Sequence, residues 1–316
     1  NAQKDLRFAD SDSSNWVAFQ APATISSNVT WTLPAADGSA NQLLTTNGSG
    51  TLSWSSVSGG ATSIDSDNNL YTAESGNSGG GYQNVSLGYQ AGDSLASGGN
   101  YNVFLGKEAG RYVTTGDHNI GIGNGCLKSS GVNNYNVAIG MEALQSANYL
   151  SQSNVGIGKQ ALGNYNTVSG SDNVAVGSSS LYRLTSGSHN VSIGNMCLYN
   201  MTTPSNNVAV GTEAGKSTTT GSECVFIGYQ AAQGGGTAHI GKAHTAVGYR
   251  ALGSVNGDIW YNTAIGHKAL EDCDTGNWNT AVGATALTDL TGGRENTAVG
   301  RGAGNYVTTG DNNLLP

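Results

Sequence analysis

A nine-residue phrase recurs along most of this chain at a nearly fixed spacing, and it leaves few folds open. It reads NVAIGMEAL at 136–144, NTAIGHKAL at 262–270 and NTAVGATAL at 279–287. Its first residue, the anchor, falls at Asn84, Asn102, Asn119, Asn136, Asn154, Asn173, Asn190, Asn207, Cys224, His244, Asn262, Asn279, Asn296 and Asn313. The spacing is 17 to 20 residues, and 13 copies are complete. Four residues past the anchor a Gly stands in every complete copy, including Gly140, Gly266, Gly283 and Gly300. The third residue past the anchor is always Val, Ile or Leu, and the seventh is Ala, Cys or Ser. Self-similarity of this length marks a solenoid or related array, in which each repeat cannot bury a face alone and stacks on its neighbours.

Composition alone would allow disorder. Charged residues are only 11% of the chain, and Gly accounts for 48 of 316 residues, about twice the usual share. Register maintained over so many copies excludes a disordered tract, and no Gly-X-Y period marks a collagen. The net charge of −8 and the absence of a Lys/Arg cluster argue against nucleic acid as a partner. No run of 18 apolar residues marks a membrane insertion. The chain opens at Asn1 without an initiator Met and stops at NNLLP, partway into another copy. It therefore reads as a segment of something longer.

Each phrase opens as a short strand. NVAIG alternates β-branched with small residues and breaks at Gly, and nine Gly-rich residues make a poor helix. Runs such as TTGDH, SGVNNY and DTGNW supply turns. One repeat is thus predicted to be a strand, a turn, a short second strand and a loop, forming one coil of an all-β stacked-coil solenoid. Alternation puts the first and third residues past the anchor on one face and the second and fourth on the other. The first face, with Val137 and Ile139, is expected to be the coil's own core. The second face carries Ala138, Ala175, Ala209, Ala246, Ala264, Ala281 and Ala298 beside the constant Gly. Small residues there suggest close approach by a second backbone. One narrow coil buries little, so packing on sister chains about a cyclic axis is expected.

Three segments follow. Residues 1–56 read as a small N-terminal β-domain: WVAFQAPATI and VTWTLPAA as strands, LLTTNGSGTLSW as a hairpin turning at Asn47-Gly48. Residues 57–83 are a Ser/Gly-rich connector, and 84–316 are the solenoid.

The chemistry-bearing residues are scattered. His118, His189, His239, His244 and His267 have no partner at metal-ligand spacing. DSDNN at 65–69 opens like a calcium loop but lacks the loop's Gly and distal Glu. No phosphate-binding Gly loop follows a strand. Neither a catalytic site, a metal site nor a cofactor is expected, and the chain reads as a non-enzyme. A carboxylate pair assembled between chains, as in a polysaccharide-degrading fibre, ranks third among the readings. Cys126 and Cys197 stand at the small seventh position, Cys224 replaces an anchor, and Cys273 is placed in a loop. Cys126 and Cys197 lie four coils apart, about 19 Å at about 4.8 Å per coil, too far for a disulfide. Free thiols are expected.

Tyr101, Tyr135, Tyr261 and Trp278 immediately precede anchors, and Trp260 is one residue earlier. They are the candidate receptor-binding residues, since aromatics borne on a rigid scaffold can stack on sugar rings. The competing reading, which is preferred, is that they cap the loops and pack on the coil below.

The phrase Asn-[Val/Thr]-Ala-[Val/Ile]-Gly-x-x-Ala-[Leu/Gly] resembles the head repeats of trimeric autotransporter adhesins. It resembles more closely the NTAIGYxAL repeats of bacteriophage tail fibres. The stretch TWTLPAADGSANQLLTTNGSGTLSW at 30–54 is similar to a segment found ahead of such repeats in tail fibres. The two resemblances together cover most of 6–313. They imply a left-handed β-roll, a homotrimeric fibre and a host-receptor-binding surface, in a virion tail fibre located outside the cell. The implied partners are sister chains, a host cell-surface glycan or other receptor, and further tail or baseplate proteins. The alternative owner is a bacterial trimeric surface adhesin or extracellular filament, located on the cell surface. Adhesin-head repeats are shorter than these. Many such fibres carry a C-terminal chaperone that is cleaved off, and nothing here matches it.

Overall fold

The computed structural model describes residues 5–9, 15–20, 30–39, 42–56, 62–64, 70–72, 82–128, 131–145, 152–163, 169–234, 241–255, 257 and 259–316. The DSDNN stretch and His239 lie outside these residues. The described residues are all β and turn, with no helix. Contacts divide the chain into two units, Asn1–Ser58 and Gly59–Pro316.

In the first unit, β1 (Asp5–Ala9) pairs antiparallel with β2 (Trp16–Gln20), and β3 (Gln42–Thr46) with β4 (Leu52–Ser56). The second pair is the hairpin expected from NGSG. Its turn is an Asx turn rather than a two-residue loop: Asn47 Oδ1 accepts the N–H groups of Ser49 at 2.9 Å and Thr51 at 3.2 Å. Within VTWTLPAA the described residues form no strand. Thr32 alone bridges to Thr51, and Pro34 has no N–H to extend a ladder.

The second unit is a parallel β-solenoid. It opens with β5 (Thr62–Ile64) and β6 (Leu70–Thr72), an antiparallel pair lying inside the segment read as a connector. Strands β7 to β19 follow, each three residues long and starting directly after an anchor. They are Val85–Leu87, Val103–Leu105, Ile120–Ile122, Val137–Ile139, Val155–Ile157, Val174–Val176, Val191–Ile193, Val208–Val210, Val225–Ile227, Thr245–Val247, Thr263–Ile265, Thr280–Val282 and Thr297–Val299. The last strand is β20 (Leu314–Leu315). These form one 16-stranded sheet in strict chain order, parallel from β6 onward. Register is in phase: Val137 pairs with Ile120 and Val155, and Ile139 with Ile122 and Ile157.

The expected second strand is absent from the described residues. The stretch past each Gly is a run of turns bonded to both adjoining coils, as Glu142 N–H is to Asn124 O of the coil before at 2.9 Å and Leu144 N–H to Ala161 O of the coil after at 3.0 Å. Left-handed backbone makes the turns. In the coil that opens at Asn136, Glu142 (φ 57°) and Leu144 (φ 48°) are left-handed, and so is Tyr135 (φ 60°) just before the anchor. Side-chain burial and coil-to-coil hydrogen bonds outweigh the ordinary cost of that conformation for non-Gly residues.

The strand faces are the reverse of the sequence expectation. Ala138, Ala175, Ala209, Ala246, Ala264, Ala281 and Ala298 are fully buried inside the chain's own coil. The residues on either side, such as Val137 and Ile139, are only half-buried and point outward. The coil is narrow. Its interior holds the anchor, the small second residue, the small seventh, the eighth and the eleventh, and leaves no room for branched side chains at the strand.

Size is balanced between coils. Phe104 fills the second position of its coil, and the eighth-position residues around it are Gly92 and Gly110 instead of Leu. A Cβ added at Gly110 would overlap the Phe104 ring. Phe226 sits likewise against Gly215, and Leu315 against Gly304. The eleventh position, where Leu184, Met201 and Leu290 are fully buried, carries no constant residue. Cys273 occupies it, on irregular backbone between the turns, and its side chain is fully buried in the core.

Candidate functional site

The anchors form a buried polar column. Each Asn carboxamide accepts from the backbone N–H of the next anchor through Oδ1, as Asn119 Oδ1 does from Asn136 at 3.0 Å and Asn262 Oδ1 from Asn279 at 2.9 Å. In most coils its Nδ2 donates to the previous anchor's Oδ1 and to a loop carbonyl of the next coil, as Asn279 does to Asn262 Oδ1 at 3.2 Å and Gly293 O at 3.0 Å. Asn84, Asn102, Asn119, Asn136, Asn154, Asn173, Asn190, Asn207, Asn262, Asn279 and Asn296 are fully buried. A buried amide with every role filled explains why Asn recurs: Ala or Leu would leave buried N–H and C=O groups bare.

The constant Gly is required twice over. Gly266 has φ 137°, and a Cβ there would stand 2.5 Å from Gly283 O in the next coil. Gly140, Gly283 and Gly300 share that conformation, with φ of 126°, 139° and 138°.

The candidate aromatics are exposed and also stacked. Tyr101, Tyr135, Trp260, Tyr261 and Trp278 are 41–56% exposed. Tyr101, His118 and Tyr135 form a ladder with centroids 4.8 and 5.0 Å apart, and Tyr261 lies parallel to Trp278 at 6.1 Å. Both readings of these rings are therefore partly met. His118 has a ring on each face, so the middle rung of that ladder offers only its edge. The backbone N–H of Trp260 donates to Asn277 Oδ1 at 2.7 Å. A second ladder, Tyr229, Tyr249 and His267, stands one residue after the constant Gly with spacings of 5.7 and 5.0 Å. Sequence reasoning missed it. The signal was present, since Tyr89, Tyr229 and Tyr249 all occupy that repeat position.

Charge on the turns is paired. Glu108 meets Lys128 at 2.7 Å and Arg111 at 2.9 Å, and Glu213 meets Lys216 at 2.6 Å. The Lys128 hydrogen bond holds the Glu108 carboxyl below its usual range, and Lys216 does the same for Glu213. Glu271, 5% exposed, bridges Arg250 at 2.9 Å and Lys268 at 3.1 Å.

Among the described residues no group of three or more His, Cys, Asp or Glu is placed to hold a metal, and no helix is long and apolar enough to cross a membrane. All four thiols are free and buried. Burial pushes Cys126 and Cys273 up to about 12, and Cys197 and Cys224 up to about 11. In the first unit a pocket of about 400 Å³ is lined by Leu33, Pro34, Ala35, Ala36, Asp37, Leu44 and Trp54.

A further feature is the outer strand face. Ile120, Ile122, Ile193, Val208, Ile227, Ile265 and Val299 are 37–58% exposed, and the other first- and third-position residues of β7 to β19 are half-buried around them. They make two in-register columns along the sheet, aliphatic except for Thr245, Thr263, Thr280 and Thr297 in the first. Comparison with protein-family models, curated proteins and solved structures finds no match to this chain.

Proposed function

We propose that this chain is a structural and adhesive fibre subunit of the phage tail-fibre type. In this reading copies associate as a homotrimer through the outer strand face, and the loops and aromatic ladders carry a surface for a host glycan or other receptor. The subunit is assigned no catalysis, and its place is the virion, outside the cell. The outer face carries the proposal. All-parallel sheets are normally covered on both faces, yet here one face is aliphatic and faces out. At about 4.8 Å per rung and roughly 10 Å across, the strip covers roughly 600 Å². That matches the largest apolar patch expected on a monomer, about 300–600 Å². It approaches the roughly 800 Å² that each partner contributes to a standard interface. The seventeen-residue period and the 30–54 segment favour the tail fibre over the bacterial adhesin.

Mass photometry of the intact chain tests the assembly. The expected particle is three times 32.1 kDa. An Ile139→Lys, Ile157→Lys pair should lower that mass while the β signal in circular dichroism persists, because both side chains point out of the coil. A parent that stays at 32.1 kDa would overturn the trimer. Adhesion is tested separately on an array of bacterial surface glycans. Tyr135→Ala and Trp278→Ala variants should reduce retention, and unchanged retention of both would remove the ladders from the receptor surface.

A further inference from the structure

The anchor column is a chain of amides except at two adjacent coils, where Cys224 and His244 stand. His244 is 1% exposed. Its Nε2 lies 2.8 Å from Ile259 O, and its Nδ1 accepts the Asn262 N–H at 3.3 Å. A carbonyl only accepts, so Nε2 carries a proton; an N–H only donates, so Nδ1 carries a lone pair. The imidazole is therefore neutral, in one tautomer. It copies both roles of the Asn it replaces: Nε2–H takes the place of Nδ2–H on the loop carbonyl, and Nδ1 the place of Oδ1 beneath the next anchor. An amide has these two roles at every pH, and an imidazole has them only while neutral. A second proton, on Nδ1, would be set against the Asn262 N–H inside the coil.

We propose that His244 is an acid-sensitive rung, at which this solenoid loosens locally when the pH falls through the range of imidazole titration. Among the described residues, no anchor of the column carries a charged side chain. The rungs on either side are Asn262 and Cys224, and burial keeps the Cys224 thiol protonated, with its pKa raised to about 11. Glu223, Lys242 and Tyr261, the charged or titratable neighbours one or two residues from these rungs, are exposed at the surface. Cys224 makes the site weaker still. Its N–H retains the Asn207 Oδ1 bond at 3.0 Å, but its side chain brings no carboxamide to the rung above. The remaining described histidines, His118, His189 and His267, lie outside the column.

The sign follows from proton counting. An unfolded or opened coil takes up a proton below about pH 6.5, and the closed coil does not, so acid favours opening. Each coil contacts only its neighbours in a stack, so the opening is confined to this region.

The test compares the intact parent chain with His244→Asn, which restores the repeat residue. From about pH 7.5 to about pH 5 the parent's Tm should fall by about 2–4 °C more than that of the variant. Hydrogen exchange supplies the local readout. Exchange at the Asn262 amide, taken as a ratio to the Asn296 amide of the same molecule, should rise on acidification in the parent and stay constant in His244→Asn. Parallel Tm profiles, or an unchanged ratio in the parent, would overturn the proposal.

Discussion

Asn279 Oδ1 accepts two hydrogen bonds from Asn296, one from its backbone N–H and one from its Nδ2, each at 3.0 Å, and both side chains are fully buried. Removing one carboxamide therefore strips partners from two coils. Asn279→Ala leaves the Asn296 N–H and Gly293 O, now 3.0 Å from Nδ2, bare on one side and removes the Nδ2 donor from Asn262 Oδ1 on the other. At about 1–3 kcal/mol for each buried group left unpaired, the variant should melt well below the parent. Asn124→Ala, at an exposed turn position, is the control and should melt within about 0.5 kcal/mol of it. Coincident thermal transitions for the two variants would refute a structural column.

Gly266 permits a sharper comparison. Val at this position meets both a left-handed backbone and the Gly283 carbonyl of the next coil. Gly266→Val should lose several degrees of Tm, whereas Asp274→Ala, on a turn, should lose little. Equal stability of the two would show that the coil can shift to accept a branched side chain.

The Phe104 and Gly110 pair predicts compensation. Phe104→Ala opens a cavity and should cost about 3–5 kcal/mol. Gly110→Leu alone would drive a side chain into the Phe104 ring. The double variant rebuilds the ordinary coil, with Ala at the second position and Leu at the eighth. Leu144 already adopts the required backbone, with φ 48° against 60° at Gly110. Denaturant titration should give a double variant more stable than either single one, with a coupling of at least about 1 kcal/mol. Additive losses would contradict the packing.

The thiols set an alkaline limit. Folding raises each pKa from an ordinary 9.0 to about 11 or 12, through burial. The protonated form belongs to the fold, so its stabilising contribution is complete below about pH 9 and is lost as the pH rises toward 11 or 12. Tm should accordingly drop above about pH 9, and a variant with all four Cys changed to Ala should drop less. Iodoacetamide at about pH 8 should label the four thiols only after denaturation. Prompt labelling of the native chain would contradict their burial.

Much of this architecture is written along the chain. The spacing of the anchors determines the coil, because hydrogen bonds between coils demand equal path lengths. The constant Gly marks the point where backbone meets backbone, and the distance between Cys126 and Cys197 along the stack forbids a bridge. Alternation determines that Val137 and Ile139 share a face opposite Ala138. It cannot say which face is inside, since both faces carry apolar atoms and a period of two is symmetric. The tertiary structure decides that through width. The carboxamide of Asn136 points inward with Ala138, and together with Ala143 and Leu144 they fill the coil and force the β-branched pair out. The same applies to the turns. Nothing in the local preference of Leu144 or Tyr135 favours a left-handed backbone; burial of one, ring stacking of the other and hydrogen bonds to the adjoining coil impose it. The aromatic ladders have the same origin, because rings seventeen to twenty residues apart become neighbours only when the coils stack in register.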